Sequence, residues 1–547
     1  MEDISPTHKA FWKVTKALNS EGYLPTPPLK KPDSSLAVDE QGKAECIADS
    51  IELQCSHTLP PHDTQHISLI EEEVRQKTSL DPLDDLSPVS LDEVQKLVKG
   101  LKAKKAPGLD GISNKAIKCF PLTILSLLVT IFNACLKNSY FPPVWKEAEV
   151  IGIPKAGKPS NLPASYRPIS LLSGLGKMYE KILKTRLSEY LFGKGLIINE
   201  QFAFRPNHSC PQQALRLIEF ITEGFKTMKR TVAVFFDVAK AFDRVWHAGL
   251  IHKLYLLKVP DRLILIIHNF LIDRHFVFRH ENTHSSRRMI RAGVPQGSAL
   301  SPLLYSVYTN DIPRSSSGVQ LALFADDTAL YLRGQTERNI CPHLQKAIEE
   351  LARWFQTWRI EVNAEKSAAI SFIYRKGRSP VVVAHGPLRI NNAPIPWQHT
   401  YKYLGITLDR NLHFRDHIKR VRKTAIFYQS RLKGMLGRNS KLSLRNKRTL
   451  YIICIRTVLT YAFPVFAHAA PKALKKLQVL QNKFCRSTTD THWCVKNSVL
   501  HRDLDLPSIR KYMKDASERF FAIAESHPNP LLSAAVAYEA PPLSFHP

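Results

Sequence analysis

The apolar residues of this chain follow two periodicities. From about residue 90 onward, segments with apolar residues at helical spacing alternate with short runs that are apolar at nearly every position. Two such runs, at 232–238 and 321–332, are predicted to be β-strands. Strands interleaved with helices indicate an α+β fold.

The two ends of the chain differ from this centre. Residues 1–85 are polar and interrupted by prolines, and we interpret them as a linker or remnant upstream of the main fold. Between Arg410 and Arg448 the sequence holds thirteen Lys and Arg residues against one acid, Asp416, in a helical pattern. Residues 506–547 are predicted to form a C-terminal tail.

The net charge of the chain indicates a polyanionic partner. The 547 residues include 77 Lys and Arg against 48 Asp and Glu, a formal charge of +29. Such an excess is typical of a surface that binds nucleic acid. Two apolar stretches, 120–136 and 450–470, contain polar or charged residues, which predicts core helices and no membrane segment. The start of the chain has no secretory signal pattern, which favours an intracellular protein.

Three aspartates lie at the ends of the two apolar runs. Asp237 ends the first run, whereas Asp326 and Asp327 separate two short apolar strands and predict the tip of a tight hairpin. Each alone is explained as well by a salt bridge or a solvated turn. Together, three carboxylates can hold two hard cations about 4 Å apart, as polymerases do.

The segment from Gly293 predicts a turn that runs into an apolar helix. Ser298 or Ser301 is the expected N-cap, with Pro302 at an early helical position. The two glycines of the turn would let the backbone approach a ligand closely, and Gln296 can hydrogen-bond a base or sugar without charge. Alone, this is an ordinary loop-to-helix junction, but here it lies between the two acidic elements.

The order of these elements resembles motifs A, B and C of reverse transcriptases, and the wider sequence resembles non-LTR retrotransposons of the jockey group. The matching text is Ala-Phe-Asp after Asp237, Pro-Gln-Gly at 295–297 and Phe-Ala-Asp-Asp at 324–327. Further matches lie at 105–111, 166–172, 202–209, 363–366 and 403–409. The resemblance covers about residues 90–505. It implies a right-hand polymerase fold. Fingers and an N-terminal extension would cover 86–230, a palm with an antiparallel sheet 231–408, and a basic helical thumb 409–505. The reverse transcriptase domain overall would cover about 134–408.

The resemblance also implies a catalytic set. Asp237, Asp326 and Asp327 match the triad that binds two Mg²⁺ ions, which Mn²⁺ can replace. Lys366 matches a lysine thought to protonate pyrophosphate. Lys155 and Arg167 match residues that bind the triphosphate of the incoming nucleotide. Gln296 and Gly297 match the dNTP site, where Gln296 would pack on the nascent base pair. Leu404 and Gly405 match the primer-grip turn.

Two alternatives stay open beside an RNA-directed DNA polymerase. An RNA-dependent RNA polymerase usually has a polar residue five positions after the first aspartate, whereas this chain has Phe242, whose ring would collide with a 2′-hydroxyl. The other alternative is an inactive remnant that binds RNA.

The expected partners are an RNA template, a DNA primer or nicked target DNA, dNTPs and an element-encoded RNA-binding protein. Related elements carry an endonuclease before this domain, and no such segment is found in this sequence. The chain alone is therefore expected not to nick its target. Access to chromosomal DNA implies the nucleus as well as the cytoplasm.

Overall fold

The computed structural model describes residues 26–57, 63–82, 84–155, 157–315, 318–374 and 388–537. Its strands are β1 Leu29–Lys30, β2 Leu36–Ala37, β3 Glu147–Pro154, β4 Tyr166–Leu171, β5 Arg230–Val238, β6 Arg274–His280, β7 Thr283–His284, β8 Arg288–Ile290, β9 Gln320–Phe324, β10 Asp327–Gly334, β11 Val362–Phe372, β12 Arg389–Ile390, β13 Ala393–Pro394, β14 Thr400–Tyr403 and β15 Ile406–Asp409.

The helices begin and end at the following residues: α1 Glu40–Gln54, α2 Thr64–Thr78, α3 Leu91–Lys99, α4 Asn114–Ile117, α5 Leu122–Lys137, α6 Gly174–Gly193, α7 Cys210–Lys226, α8 His247–Leu256, α9 Asp261–Leu271, α10 Ser301–Tyr308, α11 Glu337–Thr357, α12 Arg415–Arg431, α13 Lys433–Leu436, α14 Leu444–Leu450, α15 Thr457–Leu459, α16 Phe463–Phe466, α17 Pro471–Thr489, α18 Asn497–Asp503, α19 Ile509–Glu525 and α20 Pro530–Val536. Short 3₁₀ turns cover Pro143–Trp145 and Pro163–Ser165, and a π-helical segment covers Tyr451–Arg456. The chain is therefore a mixed α/β protein, as the alternating periodicities predicted.

The central sheet is antiparallel and has the strand order β11-β5-β10-β9. β5 lies inside it, and alternate residues of this β-branched and aromatic strand face two apolar layers. Ala233 and Phe235 pack in a cluster with residues of α7 and of the C-terminal helices. Val234 and Phe236 pack on the opposite face with residues of α11. Burial on both faces explains why the run is apolar at every position.

A second sheet has the order β4-β3-β6-β7, with β8 also paired to β6. β3 and β4 form an antiparallel pair, whereas β3 and β6 are parallel. Helix α1 covers this sheet, and its residues Ile47 and Ile51 share an apolar cluster with Val150 and Phe276. A segment near the start of the chain is thus packed into the body of the protein.

The predictions for the two ends were wrong where the structure describes them. The supposed linker contains α1 and α2, and α2 packs against α8; residues 1–25 lie outside the described residues. The supposed tail contains α19 and α20, and α20 packs against α7. The helical region after residue 408 was predicted, but its buried core continues through Val536.

The apolar stretch at 120–136 forms helix α5, and only one face of it is core. Leu125, Leu128 and Phe132 are buried, whereas Leu122 and Leu127 are 60% and 58% exposed. Across the described part of the chain, no helix has the length and apolar content needed to span a bilayer.

Candidate active site

Strand pairing brings the three aspartates to one edge of the central sheet. β5 and β10 are antiparallel with Phe236 opposite Thr328, so Asp237 and Asp327 follow at the same end of adjacent strands. β9 and β10 form the predicted hairpin, in which Asp327 pairs with Phe324. Ala325 in the turn has φ of 56°, the left-handed region that a tight hairpin turn requires. Asp326 therefore lies at the tip of this hairpin, as the sequence predicted.

The three carboxylates repel one another. Partial loss of hydration raises the pKa of Asp326, and Asp237 adds to the rise while Arg167 opposes it. Loss of hydration, followed by repulsion from Asp326 and Asp237, raises the pKa of Asp327 to about 6. A cation bound at this edge would relieve this repulsion.

The donors at this edge fit a hard divalent cation in chemistry, because carboxylate oxygens are the ligands that Mg²⁺ prefers. Among the described residues, no three Asp, Glu, His or Cys side chains are close enough together to form a group that could hold a metal ion. The observation that supports such a role is the strand pairing that brings Asp237, Asp326 and Asp327 to one edge of the sheet.

Lys366 lies beside Asp237 of the triad. The register of β11 against β5 shifts between Asn363 and Ala368, and this bulge re-aims the residues between them. The Lys366 ammonium is 3.8 Å from Oδ2 of Asp237. Ser367 Oγ accepts a hydrogen bond of 3.2 Å from the Asp237 backbone N–H, which fixes the end of β5.

Lys155 and Arg167 lie at the loop end of the β3–β4 hairpin, where Ile153 pairs with Arg167. The Lys155 ammonium donates a hydrogen bond of 2.8 Å to the carbonyl oxygen of Ala164. Burial lowers the pKa of Lys155; Asp243 opposes this effect, and repulsion from Arg167 adds to it. Arg167 is exposed. Two cations thus stand close to each other, with Arg167 also within electrostatic reach of Asp326.

The turn at 293–297 lies between these elements, but its glycines contact the protein itself. A Cβ on Gly293 would stand 2.6 Å from the backbone oxygen of Asp243, and one on Gly297 would stand 2.5 Å from that of Ser170. The expected close approach to a ligand is therefore an approach to the chain's own backbone. Behind the turn, the Cys55 carbonyl accepts hydrogen bonds from the N–H groups of Arg291 and Ala292, at 3.3 and 2.9 Å.

The helix after this turn begins at Ser301, and Pro302 has the early position that was predicted. Leu300 holds the N-cap position without a side-chain hydrogen bond, so the prediction of Ser298 or Ser301 as the N-cap was wrong. Ser298 Oγ instead accepts from the backbone N–H groups of Leu300 and Ser301. That hydroxyl donates to Glu180 at 2.7 Å. Glu180 is fully buried on α6, and its role was missed because no local pattern links a helical glutamate to a turn more than a hundred residues later.

Phe242 has a rigid setting next to the turn. Its ring stacks on Tyr305 at a centroid distance of 4.8 Å and meets Phe204 edge-on at 6.0 Å. The Phe242 carbonyl accepts a hydrogen bond of 2.8 Å from the Val294 N–H. Backbone and ring are both held, so the ring can act as a fixed wall of the site.

Leu404 and Gly405 form the two-residue turn between β14 and β15 and have φ of 45° and 80°. Positive φ at both positions is the geometry of a tight hairpin. The ring of Tyr461 covers Gly405, and its hydroxyl donates to the Leu404 carbonyl at 3.2 Å. Arg420 of α12 also donates to the Gly405 carbonyl. C-terminal helices therefore fix this turn.

Comparison with known proteins now bears on this geometry. Residues 153–408 match the family model for reverse transcriptase (RNA-dependent DNA polymerase). The chain carries a reverse transcriptase domain. Every catalytic, substrate-binding and primer-grip candidate of the sequence analysis, from Lys155 to Gly405, lies within the matched range.

The chain is also similar to proteins of mobile elements, among them elements of Drosophila. The chain is 34% identical to the probable RNA-directed DNA polymerase from transposon BS of Drosophila melanogaster, over 93% of this chain and 56% of the relative. It is 33% identical to the RNA-directed DNA polymerases from mobile element jockey of Drosophila melanogaster and Drosophila funebris, over 98% of this chain and 58% and 59% of those proteins. The predicted jockey-group resemblance is confirmed. The chain spans less than three fifths of the length of these relatives.

The cationic block that follows the reverse transcriptase domain divides into two groups. Some of its members serve the fold: Lys447 is buried and donates to the Gly437 carbonyl, and Arg448 donates to that of Leu504. Others face solvent, and Arg415, Lys419 and Lys423 follow one another at i, i+4 and i+8 on α12. Within the described residues, these three form no ion pair. The count of thirteen cations therefore overstates the charge that is available to a ligand.

Proposed function

We propose that this chain is an RNA-directed DNA polymerase that copies retrotransposon RNA into DNA by two-metal-ion nucleotidyl transfer, primed at the target. The observation that carries the proposal is the meeting of Asp237, Asp326 and Asp327 at one edge of an antiparallel sheet, inside the matched reverse transcriptase range. The names of the relatives support the same activity.

The right-hand architecture belongs to this proposal. The central sheet with its covering helices would be the palm, the sheet of β3, β4 and β6 with the helices before it the fingers, and the helices after residue 408 the thumb. Two observations support this division. The edge of the central sheet that carries Asp237, Asp326 and Asp327, here called the acidic edge, has the cation-bearing β3–β4 hairpin on one side. Basic helices follow the sheet in the chain.

The residues around the acidic edge would divide the reaction among them. Two Mg²⁺ ions held by Asp237, Asp326 and Asp327 would activate the primer 3′-hydroxyl and neutralise the leaving pyrophosphate, a role Mn²⁺ can also fill. Lys155 would bind the triphosphate as a point charge, and Arg167 through its forked guanidinium. Lys366, whose ammonium lies next to Asp237, would deliver a proton to the pyrophosphate as it leaves.

Phe242 favours DNA as the product. Its ring stacks on Tyr305 and meets Phe204 edge-on, so a 2′-hydroxyl at this position would collide with a ring that is held in place. A ribonucleotide polymerase needs space or a polar partner there. This setting supports reverse transcription over RNA synthesis.

The exposed face of α12 would hold the template–primer duplex. Ile426 and Phe427 are exposed in the turn after Lys423, and Arg431 lies over the Phe427 ring at 5.4 Å. Unpaired cations with an aromatic ring among them are typical of nucleic-acid contacts. Leu404 and Gly405 would touch the primer strand. An element-encoded RNA-binding protein, nicked target DNA and access to the nucleus and cytoplasm belong to the same proposal.

Primer extension tests the proposal. Purified protein with Mg²⁺, an RNA template and an annealed DNA primer should extend the primer with dNTPs and stop when the metal is chelated. If a folded preparation binds the template without extending the primer, the chain is an RNA-binding remnant. If it incorporates rNTPs as well as dNTPs, the assignment as a DNA polymerase is wrong.

A further inference from the structure

A buried carboxylate stands directly behind Gln296. The side-chain amide nitrogen of Gln296 donates a hydrogen bond of 2.8 Å to Oδ1 of Asp243. Asp243 follows the ring of Phe242 in the sequence and is only 8% exposed. None of the roles assigned above uses this residue, although a buried acid requires an explanation.

The backbone around the pair is fixed independently of this bond. The N–H of Gly293 donates to the Val245 carbonyl, and the N–H of Ser170 donates to the Gln296 carbonyl, both at 2.8 Å. Gly293 and Gly297 pack against neighbouring backbone. Only the side-chain torsions of Gln296 therefore remain to be set, and Asp243 is the partner that sets them.

The chemistry of the two groups determines which end of the amide faces outward. A carboxylate only accepts hydrogen bonds, whereas an amide has a donor end and an acceptor end. Because Asp243 binds the NH₂ group, the carbonyl oxygen Oε1 of Gln296 points away from it. Burial raises the pKa of Asp243, while the bond from Gln296 and the cations Lys240 and Lys155 oppose the rise and favour the carboxylate.

The surroundings strengthen this bond. Behind the pair lies a cavity of about 20 Å³ that Ile51, Val150 and Phe276 help to line with apolar groups. Asp243 itself is buried, and a hydrogen bond to a charged acceptor is strong at low local dielectric. The orientation of Gln296 is thus set before a nucleotide arrives.

We propose that Asp243 is a positioning residue for nucleotide selection: it holds the Gln296 amide so that Oε1 accepts a hydrogen bond from a hydroxyl or amino group of the incoming deoxynucleotide. The proposal rests on the polymerase function proposed above. It assigns to Asp243 a role in nucleotide binding, exerted through Gln296, and none in the chemical step.

Asp243→Asn tests the proposal with almost no change of shape. Asn can either accept a hydrogen bond from Gln296 or donate one to it, so the new side chain no longer fixes which end of the Gln296 amide faces outward. We expect the KM for dNTP to rise about tenfold, the effect of one charge-assisted hydrogen bond, with kcat within about twofold of wild type. KM does not depend on the fraction of folded enzyme, so a partial folding defect would not imitate this result.

A double-mutant cycle shows whether the effect passes through Gln296. In a Gln296→Ala background, Asp243→Asn should change KM by less than about twofold, because the group that it positions is gone. In Asp243→Asn with Gln296→Glu, the Asn amide can donate to the Glu carboxylate and leave an oxygen facing outward, so KM should move back toward wild type. Asp84→Asn is the control: it makes the same substitution at a carboxylate outside the site, one that accepts the backbone N–H of Arg262, and should leave KM unchanged.

The outcomes separate the two proposals. Wild-type protein that fails to extend a primer refutes the polymerase function. Wild-type protein that extends it, with an unchanged KM for Asp243→Asn or with the same tenfold rise in the Gln296→Ala background, refutes the positioning role alone.

Discussion

The acidic edge of the central sheet and the cationic face of α12 carry opposite charges and are built in opposite ways. The acidic edge combines Asp237 with two aspartates that lie about ninety residues later, and strand pairing alone brings them together. The cationic face repeats one residue type at helical spacing within nine consecutive positions, 415–423. A site made by tertiary register depends on every member. A site made by local repetition tolerates the loss of one.

The largest effect should come from a single change at the acidic edge. Asp326→Ala should lower primer extension at least ~1000-fold, because it removes an expected metal ligand, and should leave template RNA affinity within about twofold. Extension assays and a filter-binding measurement check the two quantities. Asp92→Ala, the loss of an exposed aspartate on α3, should change neither. An equal loss of extension and binding would make Asp326 a structural residue.

Selectivity between dNTPs and rNTPs should depend on Phe242, beside the acidic edge, and not on the cationic face. Phe242→Ala should raise ribonucleotide incorporation relative to deoxynucleotide incorporation by about tenfold or more, because the space for a 2′-hydroxyl opens. Competition between rNTPs and dNTPs in the extension assay measures this ratio. Phe204→Ala, which removes only the ring that meets Phe242 edge-on, should give a much smaller rise. Unchanged selectivity in Phe242→Ala would remove it from this role.

The cationic face should respond only to combined changes. Replacing Arg415, Lys419 and Lys423 together by Gln should weaken binding of an RNA–DNA duplex and reduce the slope of log affinity against log salt by about 2 to 3, while each single change should have a small effect. The kcat at saturating duplex should stay near wild type.

The control for this triple variant is an equal loss of charge elsewhere. Lys96, Lys99 and Lys102, which are exposed on and just after α3, can be changed to Gln together. If both triple variants weaken binding equally, affinity follows net charge and the α12 face has no special part in it.

The smallest effect should be a change of stability at the acidic edge. Without metal, Asp327→Asn should raise Tm by about 1–3 °C at neutral pH, because it relieves repulsion from Asp326 and Asp237. Mg²⁺ should raise the Tm of wild type and so reduce the difference in Tm between wild type and Asp327→Asn. Differential scanning fluorimetry with EDTA or with Mg²⁺ makes the comparison. A variant that is less stable than wild type without metal would contradict the repulsion inferred here.

Local patterns predicted the parts of the site that are set by neighbouring residues. The apolar run that ends at Asp237, the hairpin at Asp326 and the start of the helix at Ser301 all follow from short stretches of sequence. The strand pairing that joins them was not visible in any one stretch. It became predictable only through the order of the motifs and their resemblance to a family.

Long-range contacts account for what the sequence did not predict. Helices α1 and α19 were interpreted as linker and tail because their segments are polar on average, yet Ile51 and Met513 are buried against distant elements. The glycines of the turn were expected to face a ligand, but they contact Asp243 and Ser170. A tertiary contact of this kind leaves no periodicity in either partner.

The carbonyl of Cys55 bears on where this protein can be cut. It accepts a hydrogen bond from the N–H of Ala292, a buried residue next to the turn that carries Gln296. Cys55 lies almost a hundred residues before the start of the family match. A fragment trimmed to residues 153–408 would leave that amide without its acceptor and uncover the apolar groups beneath α1. The limits of the family match therefore fall inside the folding unit, and expression of a stable fragment should begin upstream of α1.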